Sequence, residues 1–113
     1  MAETQAVTVN SQNFTDVVEA GSYHRPILVE FWATWCATCR AFEPIVEKIT
    51  AEMDGTFVLA KLEFSENGKL FRRFSVRGVP AFKIFRSGKV VDEFDGELSE
   101  SELRKFIEQN LNR

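Results

Sequence analysis

An apolar run that leads directly into two cysteines constrains this chain more than any other stretch. It reads Ile27-Leu28-Val29-Glu30-Phe31-Trp32-Ala33-Thr34-Trp35-Cys36-Ala37-Thr38-Cys39-Arg40-Ala41-Phe42-Glu43-Pro44. The first six residues predict a buried strand, apolar and partly β-branched with Glu30 as the single interruption. The last ten predict a helix whose start carries both cysteines. On a helix, positions i and i+3 share a face with Cβ atoms about 5–6 Å apart. A disulfide needs roughly 3.5–4.5 Å, so Cys36 and Cys39 can join or part with small local motion. The unpaired N–H groups and positive dipole end of a helix N-terminus favour an anion. That lowers the pKa of Cys36 and raises its thiolate fraction, the attacking species in thiol–disulfide exchange. Cys39, one turn deeper, is better placed to resolve a mixed disulfide than to start one.

The rest of the chain predicts a mixed α/β order. Ala6–Val9 is a short strand. Asn10 or Ser11 caps a first helix with Phe14, Val17 and Val18 inward, and Gly21 ends it. The helix from Cys36 to about Met53 buries the stripe Cys39, Phe42, Val46, Ile49 and Met53, and Pro44 inside it should kink it. Residues 56–64 form a second apolar strand, broken by Lys61, and 68–74 a short helix. Ala81–Arg86 and Val90–Phe94 are strands joined by a Ser87-Gly88 turn. Ser99 and Glu102 form a capping box for a last helix to about Asn110, with Leu103, Phe106, Ile107 and Leu111 inward. This order predicts one domain, residues 1–113, with a central sheet that is part parallel and ends in an antiparallel hairpin.

Composition narrows the function. A 44% hydrophobic content and eleven phenylalanines predict an aromatic-rich globular core. A formal net charge of −3 argues against a nucleic-acid partner. No apolar run has the length to span a membrane. Met1–Asn10 shows no basic and no apolar signal region, so a cytoplasmic location is expected. Two cysteines cannot form a disulfide framework; in a reducing compartment the pair points to redox or metal chemistry. A closed zinc site needs four ligands, and His24, in a loop, is the only histidine. Glu30 and Lys61 are lone, opposite charges in apolar strands. Isolated buried charges are costly, so the two are expected to approach each other in neighbouring strands.

The segment Trp32-Ala33-Thr34-Trp35-Cys36-Ala37-Thr38-Cys39-Arg40 resembles the active-site segment of the thioredoxin family. Val76-Arg77-Gly78-Val79-Pro80 resembles the family's cis-proline segment, Phe85-Arg86-Ser87-Gly88-Lys89-Val90 its last hairpin, and Gly96 its glycine beside the site. The likeness runs from about Val7 to Leu111. It implies the thioredoxin fold, a mixed five-stranded sheet flanked by four helices, and a protein-disulfide reductase. It assigns Cys36 as nucleophile and Cys39 as resolving thiol. It puts a carboxylate at Glu30, where the family has aspartate, buried beneath Cys39 as its proton acceptor, with Lys61 nearby. Trp35, Ala37, Thr38, Gly78, Val79, Pro80 and Gly96 are then the substrate-binding groups, with Gly78 and Gly96 small because another backbone approaches. No bound cofactor or metal is expected, because the cysteines are the redox centre. The expected partners are disulfide-containing proteins and a thioredoxin reductase, NADPH- or ferredoxin-linked, acting on a monomer.

The chain departs from the family at Ala37-Thr38, usually Gly-Pro. Thr38 restores an N–H that proline lacks, which favours the Cys36 thiolate and predicts a less reducing couple. Three alternatives stay open: a disulfide oxidase or isomerase, a redox-independent binding module, and a metal or cluster carrier using the two cysteines across a dimer.

Overall fold

The computed structural model describes residues 6–111. The first five residues, half of the stretch read for a signal region, and the last two lie outside them. Five strands, β1 (Ala6–Val9), β2 (Ile27–Trp32), β3 (Val58–Glu63), β4 (Ala81–Arg86) and β5 (Lys89–Asp95), form one sheet in the order β1-β3-β2-β4-β5. The first three in that order are parallel; β4 runs antiparallel to β2, and β5 to β4. The helices are α1 (Ala37–Glu52), α2 (Gly68–Arg73) and α3 (Glu100–Leu111), preceded by a π-type segment, Thr15–Ala20, and a 3-10 turn, Gly21–Tyr23. The order of elements along the chain and the mixed sheet ending in an antiparallel hairpin match the sequence expectation.

Central strand β2 explains the layering. Its side chains alternate between two faces, and both faces are covered, so it is apolar at every position but Glu30. Ile27, Val29 and Phe31 point into a core with Phe14, Val18, Leu62, Phe71 and Phe85. Leu28 points the other way, into a core built by Phe42, Val46 and Ile49 of α1 and Leu103, Phe106 and Ile107 of α3. Glu30 follows Leu28 by two positions and is sent toward the α1 side by the same period. Phenylalanine edges tie the layers together: Phe31 meets Phe71 edge-on at 5.2 Å, and Phe42 meets Phe82 at 5.6 Å.

Local signals act as predicted in most places. The Asn10 side chain accepts hydrogen bonds from the N–H groups of Gln12 and Asn13. Ser99 and Glu102 form the capping box reciprocally, at 2.9 and 3.2 Å. Ser87 and Gly88 both have positive φ, 52° and 80°, as a two-residue hairpin turn requires. Helix α1 is continuous through Pro44.

The first helix differs from expectation. It is π-type, and although Gly21 is its C-cap as expected, that glycine keeps a right-handed φ of −60° and the chain runs on into the 3-10 turn. The cause is tertiary: Ser22 accepts the Ser87 N–H on its carbonyl and the Gly88 N–H on its hydroxyl, at 3.0 and 2.8 Å. Tyr23 lies over Gly88, where a Cβ would meet its hydroxyl at 3.1 Å. The hairpin turn holds the helical chain past its glycine.

Candidate active site

The end of β2 hands the chain to α1 through the loop Ala33–Trp35. Two contacts fix that loop. Thr34 N–H donates to the Glu63 carboxylate at 3.3 Å, and the Arg40 guanidinium donates to Thr34 C=O at 2.6 Å. Sequence reading singled out neither Glu63 nor this role for Arg40. Glu63 is the last residue of β3, beside Trp32 in the register, and only the pairing of strands reveals its closeness.

Cys36 is the N-cap of α1, with extended φ and ψ of −90° and 105°. Its sulfur accepts the Cys39 N–H at 3.0 Å, so the sulfur occupies the place of a capping oxygen. The two cysteines are joined as a disulfide, with Cα atoms 5.3 Å apart. Both cysteines are buried, Cys36 at 6% exposure and Cys39 at 2%, so Cys36 is the less enclosed of the two. The donor that reaches Cys36 belongs to Cys39; Ala37 and Thr38 are exposed on the helix tip. Trp35, 67% exposed, stands beside them, whereas Trp32 packs against the cysteine pair.

On the other side, the Val79–Pro80 peptide is cis, and Val79 O lies 3.8 Å from Cys36 Sγ. Gly96 N–H donates to Pro80 O at 2.8 Å, which sets the β5 end against the proline. A groove of about 890 Å³ opens here, lined in part by Val76, Gly78, Val79, Pro80, Phe94 and Gly96. Trp35, Ala37 and Thr38 do not line it; the expected substrate surface is divided between an exposed helix tip and this groove. The two glycines also have a different cause from the one expected. No atom approaches within 4 Å of a Cβ built on either, so no close backbone explains them. Gly96 has a φ of 79°, the left-handed region that favours glycine, and Gly78 faces open space.

Three carboxyls, Glu30 of β2 and Glu43 and Glu47 of α1, gather around Lys61 of β3. Glu30 is 2% exposed and is the register partner of Lys61, as expected for neighbouring strands. The ion pair, however, joins Lys61 to Glu43 of α1, not to Glu30. Lys61 Nζ also sits 5.3 Å from the centre of the Trp32 ring. Burial first, then the nearby Glu43 carboxyl, pushes the Glu30 pKa up from 4.5 to about 9. Lys61 lowers it by less, and Glu47 adds to the rise. The two carboxyls do not meet in standard hydrogen-bond geometry, and Glu30 Oε1 has no partner among the described residues. Burial alone would depress Lys61; the hydrogen bond to Glu43, and then the charges of Glu43, Glu30 and Glu47, outweigh it and hold the ammonium above its ordinary pKa. Sequence reading missed Glu43. Its signal was its place four residues after Cys39, one turn along the same helix face.

A helix-tip disulfide whose N-cap sulfur accepts a backbone N–H, with an exposed tryptophan alongside, is built for thiol–disulfide exchange. Comparison with known proteins agrees. The family model described as Thioredoxin matches residues 5–109. Thioredoxin C-2 of Corynebacterium nephridii is 34% identical over 106 residues, 93% of this chain and 95% of that one. The thioredoxin of Staphylococcus saprophyticus is 33% identical over 105 residues, 93% and 97% of the two chains. That of Pseudomonas aeruginosa is 32% identical over 106 residues, 93% and 95%. Similarity of this extent, with the cysteine pair at its centre, means that the chain belongs to the thioredoxin family and is a thiol–disulfide oxidoreductase that reduces protein disulfides.

Proposed function

We propose a residue-by-residue course for this reaction. In the reduced protein, the Cys36 thiolate attacks one sulfur of a substrate disulfide. A Cys36–substrate bond forms, and the other substrate sulfur leaves as a thiolate. Cys39, having lost its proton, attacks Cys36 Sγ; the intrachain disulfide closes, and the second substrate sulfur leaves. Two electrons pass to the substrate, and the protein ends in the disulfide form. Glu30 exchanges the proton of Cys39, and Lys61 tunes the charge beneath it. Trp35, Ala37 and Thr38 meet the substrate at the helix tip, and Gly78, Val79, Pro80 and Gly96 meet it along the groove.

The observation that carries this reading is the Cys39 N–H aimed at Cys36 Sγ at 3.0 Å. A donor in that position favours negative charge on the Cys36 sulfur. We place the protein in the cytoplasm as a monomer, supplied with two electrons per turnover by an NADPH- or ferredoxin-linked thioredoxin reductase. The support for a monomer is that one chain supplies both cysteines, the tryptophan and the groove.

Insulin reduction with each class of reductase tests the reading. Activity with one of them is expected, together with a trapped Cys36–substrate adduct when Cys39 is replaced by Ser. Adducts trapped through Cys39 when Cys36 is replaced by Ser, with none in the Cys39→Ser protein, would reverse the assignment of the two cysteines.

A further inference from the structure

The Glu30–Lys61 pair of register partners contains a third member that the reaction above does not use. Glu43 comes from α1 and engages the Lys61 ammonium, both side chains being partly buried. Glu30, on the neighbouring strand, is left almost fully enclosed with one oxygen unpartnered. We propose that Glu43 is a positioning residue for thiol–disulfide exchange: it draws the Lys61 ammonium away from Glu30 and so decides whether the buried carboxyl beneath the site has a counter-ion. This rests on the reading of Glu30 as the proton partner of Cys39.

The surroundings of Glu30 leave Glu43 as the deciding group. From α1, Glu43 and Glu47 bear on it; from β3, Lys61 does. From β4 the residue opposite is Phe82, and the β4 lysine, Lys83, is engaged by Glu93. The α3 residues in this layer, Leu103, Phe106 and Ile107, carry no charge. One cation therefore serves two carboxyls, and it has gone to the more hydrated of them. That choice costs less, because a carboxylate at the edge of the core keeps part of its water whereas Glu30 would lose nearly all of it.

The consequence is directional. With Lys61 held by Glu43, Glu30 keeps its proton at neutral pH and is set to donate. When an incoming thiolate opens the disulfide at Cys36, Cys39 leaves as a thiolate; it takes the Glu30 proton and becomes a thiol, and Glu30 becomes a carboxylate. The reverse transfer, Cys39 thiol to Glu30 carboxylate, accompanies closure and gains as the pH rises. Glu43 thus sets the pH range in which each direction is favoured.

The test combines side-chain carboxyl NMR of carbon-13 glutamate-labelled protein with the pH profile of insulin reduction. For Glu43→Gln, the Glu30 midpoint is expected to fall by at least about one pH unit, tenfold in proton affinity, with the rate profile moving the same way. Glu43→Asp should restore part of both shifts, and Glu43→Ala should repeat the Gln result if Gln perturbs folding. Lys61→Met should move the Glu30 midpoint more in the Glu43→Gln background than in the wild type, since only there is the lysine free to serve Glu30. An unmoved Glu30 midpoint in Glu43→Gln, or equal effects of Lys61→Met in both backgrounds, overturns the proposal. A midpoint that falls while the rate profile stays fixed overturns instead the proton-partner reading of Glu30, and with it any part for Glu43 in the reaction.

Discussion

Glu30 and Lys61 are register partners across the β2–β3 ladder, yet they form no ion pair, because Glu43 of α1 takes the ammonium. Burial and the Glu43 carboxyl then hold the Glu30 pKa near 9 rather than 4.5. The unfolded chain gives up this proton at ordinary carboxyl pH, and the folded chain keeps it. Between those two values the native state binds more protons, so stability falls as pH rises. Glu30→Gln should remove that slope and stabilise the protein at pH 7 by on the order of 3 kcal/mol. Urea unfolding at several pH values checks it; a wild-type curve flat from mildly acid to alkaline pH would show that Glu30 is not held protonated.

The two cysteines should fail differently. Cys36→Ser should reduce insulin turnover about a thousandfold or more, since the nucleophile itself is lost. Cys39→Ser should keep the first attack and accumulate a mixed disulfide with the substrate, visible on a non-reducing gel and released by dithiothreitol.

Thr38 contributes an N–H to the first turn of α1 that proline would remove. Thr38→Pro should make the thiolate less favourable and the couple more reducing, by on the order of 10–30 mV. Equilibration with glutathione at fixed pH measures it; an unchanged or higher potential would mean that the Cys39 N–H alone sets the sulfur's environment.

Trp35 is two-thirds exposed, so its truncation separates binding from folding. Trp35→Ala should change stability by no more than about 0.5 kcal/mol. It should raise KM for a protein substrate about tenfold, equivalent to about 1.4 kcal/mol of lost contact. Steady-state kinetics beside a thermal melt separate the two effects.

Gly96 and Gly78 make a matched pair. Both have open space where a Cβ would go, but only Gly96 has a positive φ. Gly96→Ala should cost about 1–2 kcal/mol through its backbone alone, and Gly78→Ala should stay within about 0.5 kcal/mol. Chemical denaturation of the two variants decides whether conformation or crowding keeps Gly96 small.

Much of the fold was written in local patterns. Strand β2 follows from six residues with apolar side chains on both faces, the hairpin from Ser87-Gly88, and the start of α3 from Ser99 and Glu102. Each of these needs only a period of alternation or a cap within four residues, and such signals survive in one dimension. The cysteine pair belongs to the same class, because i and i+3 on a helix are neighbours wherever the helix goes. Other features depend on elements far apart in sequence. The segment after Gly21 stays helical because Ser22 is held by the 87–88 turn. The active-site loop is braced by Glu63 from β3. Lys61 pairs with Glu43, eighteen positions away, rather than with the acid beside it in the sheet. The sequence by itself determined which residues carry charge or sulfur and which face of an element each occupies. Tertiary structure alone decided which charge meets which, because that choice weighs Coulomb attraction against the water each group must give up, and hydration is set only when the layers close.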